Sequence, residues 1–423
     1  MGKIICPFLN KPLVLFLLLL FLVEPDGVLE AAHYNKGIWV FLHEIFHLLK
    51  WITIFAAIPM ILSIGRPSSF LWLILFFNGI IIVSCFLNGN LEWGYIRTLI
   101  IITILSILTE YGLKGVKPIS FLRVFFLFLL FCIIINAFTL LIYFPDGMYI
   151  NDRGWGYNYF LGYKNLHIYY FLPCILSLSI LHFINYGKLK SSFYVLMLLM
   201  LVSSIFNFST TSLLVMLVLT LSSLVVKKIK LPIWINPSTI FVVMTIFSIF
   251  LIYGGISGTF SEFTQEVSDQ AGKTGDTFES RTRIWFEALI AVNEHPYIGN
   301  GNFSVVENRL TEYFQMHNQY LDIMTQGGLC LYFVFFLQFV VISLKMKKIR
   351  NTWIYTMMIL ILGVYFIEFM LEGKRNNYLW YPFLLILYHI PSIITSLEKR
   401  KTVIKHSIIL KKDENNRSNP CPL

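Results

Sequence analysis

The sequence predicts an all-α integral membrane protein, built as a single polytopic domain over residues 1–423 with about twelve membrane-spanning helices. Apolar residues make up 57% of the chain and charged residues 13%, and the mean hydropathy is +0.71. Apolar runs of roughly 20 residues, the length that a helix needs to cross a bilayer, recur along the chain. Basic residues concentrate between alternate runs, as they do in membrane proteins of fixed orientation.

Each predicted span is an apolar run that ends at polar or turn-forming residues. The spans lie near residues 8–23, 48–64, 69–87, 93–111, 119–143, 165–186, 191–206, 208–226, 238–256, 319–344, 353–371 and 377–395. The first run follows Lys3 and Lys11 and resembles a signal sequence. No small-residue cleavage site follows it, so we expect it to remain as the first helix.

The charge distribution orients these helices. With the amino terminus inside, the inner loops hold Lys3, Lys11, Arg66, Lys114, Lys117, Lys188, Lys190, Lys227, Lys228, Lys230, Lys345, Lys347, Lys348 and Arg350. Most outer loops are acidic instead, so both termini are expected to be cytoplasmic. The net charge of +10 is then a topology signal and does not indicate nucleic-acid binding. The basic tail of residues 396–423 is expected to touch anionic lipid.

The predicted outer loop of residues 257–318 departs from this charge pattern. It carries Lys273, Arg281, Arg283 and Arg309, although an outer loop has no topological need for basic residues. The positive charges therefore indicate an anion-binding function. At the outer face of a membrane, the abundant phosphate belongs to lipid headgroups or to lipid-linked sugars.

An amphipathic helix is predicted to begin at Ile284 in this loop and to end before Pro296. Its apolar face consists of Trp285, Ala288, Leu289 and Val292. Such a helix would have Arg281 and Arg283 at its amino-terminal end, where a cation is unfavourable unless an anion binds there too. A helix N-terminus with arginine side chains forms a phosphate site. The alternative is a helix that only caps the bundle or lies on the membrane.

His317 and Asn318 stand at the entry to the next predicted span, in "MHNQYLD". A single histidine at a helix end is usually structural. Beside a phosphate site it becomes a candidate acid or base, because the unperturbed pKa of histidine lies near about 6.5.

These motifs, taken in order, resemble the O-antigen ligase and Wzy-type polysaccharide polymerase family. Trp285 follows Arg281 by four residues, then come "HPYIGNG" and "HNQYLDIMTQGGLCLYFVFF". "LGYKNLHIYYFLPCIL" and "NFSTTSLLVMLVL" also resemble segments of that family. The resemblance covers roughly residues 150–345.

The resemblance implies a glycosyltransferase at the outer face of the bacterial plasma membrane, with 257–318 as its catalytic loop. Its fold would be similar to multi-spanning, lipid-phosphate-dependent (GT-C-like) glycosyltransferases. The donor would be an undecaprenyl-diphosphate-linked oligosaccharide, with no metal, nucleotide or other cofactor. Beside the lipid bilayer, a flippase and a chain-length regulator would be partners. A repeat-unit polymerase for capsule, O-antigen or exopolysaccharide is favoured over a surface-glycan ligase.

The resemblance also assigns residues. Arg281 would bind the diphosphate, and His317 would assist the acceptor hydroxyl as a base. Asn165 and Asn318 fall within the matching motifs and are expected to bind substrate. Arg283 is an additional arginine whose role the resemblance does not fix.

A second diphosphate-binding cation is expected from the family pattern. Arg153 is the best candidate, and Lys164 is the alternative source of that charge. Arg97 lies within an apolar segment and is expected to face the carrier diphosphate or to pair with Glu368. Arg375 at the outer mouth is expected to meet acceptor glycan or lipid headgroups.

Two other functions remain open. The pattern His43-Glu44-x-x-His47 matches a zinc-protease motif, although no third ligand follows at the expected spacing, and its alternative is an amphipathic interfacial segment. A flippase or transporter for lipid-linked sugars would share the number of spans and the interior charges. Internal repeats are expected of such a transporter, and none is visible in the sequence.

Overall fold

The structure is a computed structural model that describes residues 11–34, 37–63, 66–115, 117–150, 158–259, 276–302, 316–372 and 378–417. Fourteen α-helices lie in these ranges. They are α1 (Pro12–Val23), α2 (Asp26–Tyr34), α3 (Ile38–Ser63), α4 (Ser69–Leu87), α5 (Trp93–Lys114), α6 (Pro118–Tyr143), α7 (Ile168–Tyr186), α8 (Ser191–Phe206), α9 (Thr210–Val225), α10 (Pro237–Ile256), α11 (Asp276–Glu294), α12 (Gln319–Met346), α13 (Trp353–Leu371) and α14 (Trp380–Arg417).

The chain is thus a helical, multi-pass membrane protein, and each of the twelve predicted spans coincides with a helix. Nine helices of the described ranges are long and apolar enough to cross a membrane. A tenth span results if α1 and α2, which meet at a bend of 47°, count as one. The apolar helices α8 and α9 have 16 residues each. The figure of twelve crossings and the orientation in the membrane stay predictions.

Helices α2, α3 and α14 differ from the prediction. The second predicted span begins ten residues earlier than expected, at Ile38, because the polar residues around His43 continue the same helix. The short helix α2 was not predicted, since its nine residues include only a weak apolar pattern. The last helix continues through the basic tail to Arg417.

A small β-hairpin marks the end of the bundle that we call the hairpin end. Its strands are β1 (Asn158–Tyr159) and β2 (Gly162–Tyr163). The backbone N–H of Leu161 donates to Asn136 Oδ1 of α6 over 2.9 Å, and that of Gly27 in α2 donates to Phe160 O over 3.2 Å. These contacts hold the hairpin, and the residues after it, against the bundle.

Helix α12 is broken at Gly328, where φ is 59° and ψ is −158°. A break in a membrane helix leaves backbone groups that must find new partners. The carbonyls of Thr325 and Gln326 accept from the backbone N–H groups of Asn300 (2.7 Å) and Gly301 (2.9 Å). Residues of the "HPYIGNG" turn therefore replace the missing helical hydrogen bonds.

The other side of the break is satisfied in the same way. The N–H groups of Leu329 and Cys330 donate to Pro296 O (2.8 Å) and Tyr297 O (3.1 Å). The turn approaches so closely that a Cβ on Gly299 would lie 2.5 Å from backbone atoms of α12. The glycines of this motif thus serve the helix break, and the motif fixes where α12 begins relative to α11.

Candidate active site

The buried carboxylate of Glu372 gathers three of the predicted site residues at the hairpin end. Glu372 follows α13 and is 4% exposed. Its Oε1 accepts from Arg281 Nη2 at 3.1 Å and from Asn165 Nδ2 at 2.9 Å. Its Oε2 faces His317 Nδ1 at 2.9 Å. We call these four residues the Glu372 cluster.

Arg281 is brought to the cluster by the apolar face of α11. Ile284 and Trp285 are each 1% exposed and pack toward α10 and α12. The indole Nε1 of Trp285 donates to the carbonyl of Met316 over 3.0 Å, just before His317. The predicted amphipathic face is therefore a tertiary contact that sets the distance between the arginine and the histidine.

The predicted start of this helix was wrong. The helix begins at Asp276, five residues before Arg281, so Arg281 and Arg283 lie beyond the first turn. Periodicity could not reveal this because the first two turns are polar. The free amides of a helix N-terminus therefore do not accompany Arg281, and the positive charge for an anion comes from the guanidinium group itself.

His317 is held in an unusual backbone conformation. Its φ is +47°, a region that few residues other than glycine adopt. Asn318 caps α12, with Oδ1 accepting from Leu321 N at 3.0 Å and Nδ2 donating to Ser248 Oγ at 2.8 Å. The cap fixes the backbone next to His317 and turns its ring toward Glu372, whereas a contact of Asn318 with substrate stays a prediction.

Asn165 links the cluster to two segments that resembled the family. It lies in a 3₁₀ turn after the hairpin, and its Oδ1 accepts from Ser209 Oγ at 3.2 Å. The carbonyl of Lys164 accepts from Asn207 Nδ2 at 3.1 Å, and Lys164 Nζ lies 5.8 Å from the ring centroid of Tyr163. The start of α9 therefore supports the turn that presents Asn165.

The remaining predicted residues lie apart from the cluster or outside the described residues. Arg283 is exposed on α11. Arg97 is half-buried on α5, and its pairing with Glu368 stays a prediction. Arg153 and Arg375 fall outside the described residues.

The positive charge of Arg97 lies near the hydroxyl of Tyr378. Burial and the Asp26 carboxylate raise the pKa of Tyr378 to about 12, against the opposing effects of a hydrogen bond from Thr98 and the charge of Arg97. The guanidinium group is half-buried on α5. A contact between Arg97 and a carrier diphosphate stays a prediction.

A second buried carboxylate at the hairpin end accounts for part of the zinc-protease pattern. Glu24, which is 4% exposed, pairs with Lys50 Nζ and with His43 Nδ1, the latter at 2.8 Å. His47 lies one turn further along α3 and accepts from Trp51 Nε1 at 3.3 Å. We call Glu24, Lys50 and His43 the Glu24 cluster; it fastens α3 to the bend between α1 and α2.

An apolar cavity of about 230 Å³ opens between α6 and α8. Leu140, Leu141, Val202 and Phe206 are among its lining residues. Phe206 immediately precedes Asn207, which supports the turn of Asn165. The cavity therefore reaches the residue next to Asn207, whose side chain contacts the turn of Asn165.

Glu372 is the residue that sequence reasoning missed. A signal was available, because a carboxylate closing an apolar span opposite a basic loop needs a cationic partner. The sequence does not identify that partner, since Arg281 and His317 lie 91 and 55 residues away.

The Glu372 cluster combines two chemical capacities. Arg281 has five N–H donors, of which Nη1 binds Leu371 O (3.1 Å) and Nη2 binds Glu372, and its side chain is 23% exposed. The ring of His317 is 28% exposed, and no atom among the described residues pairs with its Nε2. An anion-binding group and a proton acceptor are thus both accessible and share one buried carboxylate.

A comparison with protein families finds a match to the O-antigen ligase family (Wzy_C) over residues 195–336. The matched segment runs from α8 into α12 and includes Ser209, Arg281 and His317, whereas Asn165 and Glu372 lie outside it. Searches of curated proteins and of solved structures find no match. The family match suggests a membrane enzyme that transfers glycosyl groups. Residues 195–336 therefore match the model of the O-antigen ligase family, which confirms the resemblance that the motifs indicated.

Proposed function

We propose that the protein is a polysaccharide repeat-unit polymerase at the outer face of the bacterial plasma membrane. It transfers a glycan from an undecaprenyl-diphosphate carrier onto the terminal sugar of an acceptor repeat unit. The observation that carries this proposal is the Glu372 cluster, which joins Arg281 and His317 through one carboxylate.

Arg281 stabilises the leaving group in this reaction. The acceptor oxygen forms a bond to the anomeric carbon, and the bond from that carbon to the diphosphate breaks. The bonding pair leaves with the diphosphate, so negative charge grows on its bridging oxygen. A preorganised guanidinium group stabilises that charge, and loss of one such donor typically lowers the rate on the order of 10²–10³-fold.

His317 receives the proton of the acceptor hydroxyl. Glu372 faces Nδ1, so Nε2 is the ring nitrogen that can accept this proton. The donor sugar is already activated by its diphosphate. The protein then needs to hold the acceptor hydroxyl beside the anomeric carbon and to remove its proton, without a metal or a nucleotide.

The apolar cavity between α6 and α8 supports a lipid-linked donor. A carrier with a charged head and a long apolar chain needs an apolar surface next to its head-binding site. The cavity lined by Leu140, Leu141 and Val202 borders the segment of Asn207. We infer that the first isoprene units of the carrier lie there while its diphosphate meets Arg281.

A surface-glycan ligase is the second candidate, because the matched family is described as O-antigen ligase. A ligase would use the same donor and the same bond chemistry but a different acceptor. A flippase would require neither a proton acceptor nor a leaving-group cation, so the Glu372 cluster favours the two transferases.

The test is complementation of a deletion strain, read as the length distribution of its surface glycan. The wild-type gene is compared with Arg281→Ala and His317→Ala at matched membrane levels. Glu287→Ala on the same helix, half-buried and outside the cluster, is the control. The proposal predicts long polymer with the wild type and the control, and single repeats with both cluster variants.

Two other outcomes would contradict the proposal. Full-length polymer that stays carrier-linked in the deletion strain would identify a ligase. Normal polymer with Arg281→Ala and His317→Ala would show that the cluster is structural.

A further inference from the structure

We propose that Glu372 is a positioning residue that sets the tautomer of His317, and that Asn165 and Arg281 hold Glu372 in the orientation that makes this possible. This inference rests on the proposed function, because it assigns the chemistry of the same site. It adds a residue outside the segment that matches the family.

The contact with Glu372 determines which nitrogen of His317 has the proton. A carboxylate oxygen only accepts hydrogen bonds, so the 2.9 Å contact with Glu372 Oε2 requires His317 Nδ1 to donate. In the neutral ring the other nitrogen, Nε2, then has a free lone pair. That is the tautomer that a base at Nε2 needs.

The other carboxylate oxygen, Glu372 Oε1, has a different set of partners. Two donors converge on Glu372 Oε1, namely Arg281 Nη2 at 3.1 Å and Asn165 Nδ2 at 2.9 Å. The guanidinium group of Arg281 has no acceptor, and Asn165 meets Glu372 through its NH₂ group, which only donates. If an amide replaced the carboxylate, its oxygen would have to take the Oε1 position.

The neighbours of Asn165 bear on the orientation of its amide group. Ser209 Oγ can donate its one proton to Asn165 Oδ1 at 3.2 Å or to Ser212 Oγ at 2.9 Å. While it donates to Asn165, the NH₂ group of Asn165 faces Glu372. The side chain of Ser209 also caps α9 by accepting from Ser212 N. Arg281 has no acceptor at all, so it keeps an oxygen at the Oε1 position even if the amide of Asn165 turns.

The consequence is specific to Glu372→Gln. With its oxygen directed at Arg281 and Asn165, the introduced amide must point its NH₂ group at His317 Nδ1. Nδ1 must then accept, and the ring proton moves to Nε2, the nitrogen that should receive the acceptor proton. A nearly isosteric change thus preserves the contacts and removes the base. In serine-protease triads the equivalent carboxylate-to-amide change lowers kcat by about 10⁴-fold through the wrong tautomer.

A second substitution should reverse the effect. In the double variant Asn165→Asp/Glu372→Gln the carboxylate and the amide have exchanged places. The net charge is therefore that of the wild type. Arg281 can pair with the new carboxylate, and the introduced amide can donate to it. Its oxygen then faces His317 Nδ1, and the original tautomer returns. A purely structural role of Glu372 predicts no such rescue.

The experiment uses the full-length protein in lipid nanodiscs with a synthetic polyprenyl-diphosphate-linked repeat unit as donor and acceptor. Turnover is measured together with the ¹⁵N spectrum of the imidazole rings. The chain has nine histidines, so His317 is assigned from the signal missing in His317→Gln. Glu24→Gln, a carboxylate-to-amide change in the other cluster, is the matched control.

We expect Glu372→Gln to lower kcat by about 10³–10⁴-fold, by analogy with triads, while the donor KM stays within about threefold. The protonated nitrogen of His317 should change from Nδ1 to Nε2. The double variant should recover at least about tenfold of the lost kcat and the original ¹⁵N pattern. Glu24→Gln should leave kcat and the His317 signals unchanged.

The inference is overturned if Glu372→Gln leaves the protonated nitrogen of His317 unchanged, whatever happens to kcat. It is also overturned if kcat falls and the double variant restores neither kcat nor the ¹⁵N pattern. Absence of transfer by the wild type would instead reject the proposed function. The ¹⁵N comparison would still decide whether Glu372 sets the His317 tautomer.

Discussion

The Glu372 and Glu24 clusters use the same kinds of side chain at the same end of the bundle, but they differ in reach and enclosure. Each joins a buried carboxylate to one cation and one histidine. The partners of Glu24 lie 19 and 26 residues away along the chain, whereas those of Glu372 lie 55, 91 and 207 residues away. The cation side chain is 11% exposed at Glu24 and 23% exposed at Glu372.

These differences indicate that the Glu24 cluster is structural and that the Glu372 cluster is a candidate active site. Lys50 has a compact charge that the Glu24 carboxylate neutralises within a local group of helices. Arg281 has a fork of five donors and reaches an accessible position where further donors can meet an anion. A buried ion pair alone therefore does not mark an active site; convergence of distant segments with accessible groups does.

The largest expected effect comes from removing each carboxylate in turn. Glu372→Ala should lower kcat at least about 10²-fold, because the histidine and the arginine lose their common anchor. Glu24→Ala leaves Lys50 charged and buried without its partner, which typically costs about 3–5 kcal/mol of stability. Turnover per folded molecule and thermal unfolding in the same detergent measure the two effects. A loss of turnover by Glu24→Ala at an unchanged unfolding temperature would show that the Glu24 cluster is functional rather than structural.

A second large effect is expected at the helix break that supports the Glu372 side of the bundle. A Cβ on Gly328 would lie 2.5 Å from backbone atoms of Tyr297, at a φ of +59°. Gly328→Ala should therefore destabilise the protein by more than about 1 kcal/mol and lower turnover together with it. The matched control is Gly363→Ala on α13, where the added Cβ meets no atom within 4 Å apart from its chain neighbours and the backbone of its own helix. Equal unfolding temperatures for both variants would contradict the close packing of the turn.

Local patterns predicted the helices, because the length of a spanning helix follows from an apolar run that charged residues bound on both sides. They also predicted the apolar face of α11, since Trp285 and Ala288 recur at helical spacing. The start of α11 at Asp276 and the extension of α3 to Ile38 escaped prediction because both begin with polar turns. Periodicity says nothing about a polar helix end.

The candidate site was predicted only in part. Motif order identified Arg281, His317 and Asn165, which the structure brings together at one carboxylate. Spacing along the chain could not pair them with Glu372, because the pairing depends on how four separate helices pack. The role of the "HPYIGNG" turn as a partner for broken α12 also required the backbone positions of both segments.

A moderate effect is expected where α11 positions His317. Trp285→Phe removes the N–H that binds the Met316 carbonyl over 3.0 Å and leaves that carbonyl unpaired, which typically costs about 1–3 kcal/mol. Turnover should fall by roughly tenfold as His317 loses its fixed position. Phe286→Leu, at an adjacent exposed position, is the control and should retain activity. A normal kcat in Trp285→Phe would show that the contact of α11 with Met316 is not needed to position His317.

The smallest expected effect concerns the apolar cavity. Val202→Trp places a large side chain at the lining between α6 and α8 and should raise the donor KM about threefold to tenfold at nearly unchanged kcat. Val195→Trp, on the same helix at a 66% exposed position, is the control. The measurement compares donors with long and short isoprenoid chains. An unchanged KM for the long-chain donor would show that the cavity does not bind the isoprenoid chain.

Glycan transfer by the purified full-length protein in nanodiscs would test directly whether the Glu372 cluster is the catalytic site. Donor repeat unit, acceptor repeat unit and released carrier diphosphate are quantified for the wild type, His317→Ala and Glu24→Gln at matched amounts of folded protein. We expect the wild type and Glu24→Gln to elongate the acceptor and to release one carrier diphosphate per bond formed, and we expect His317→Ala to do neither. Elongation by His317→Ala at the wild-type rate would contradict this expectation.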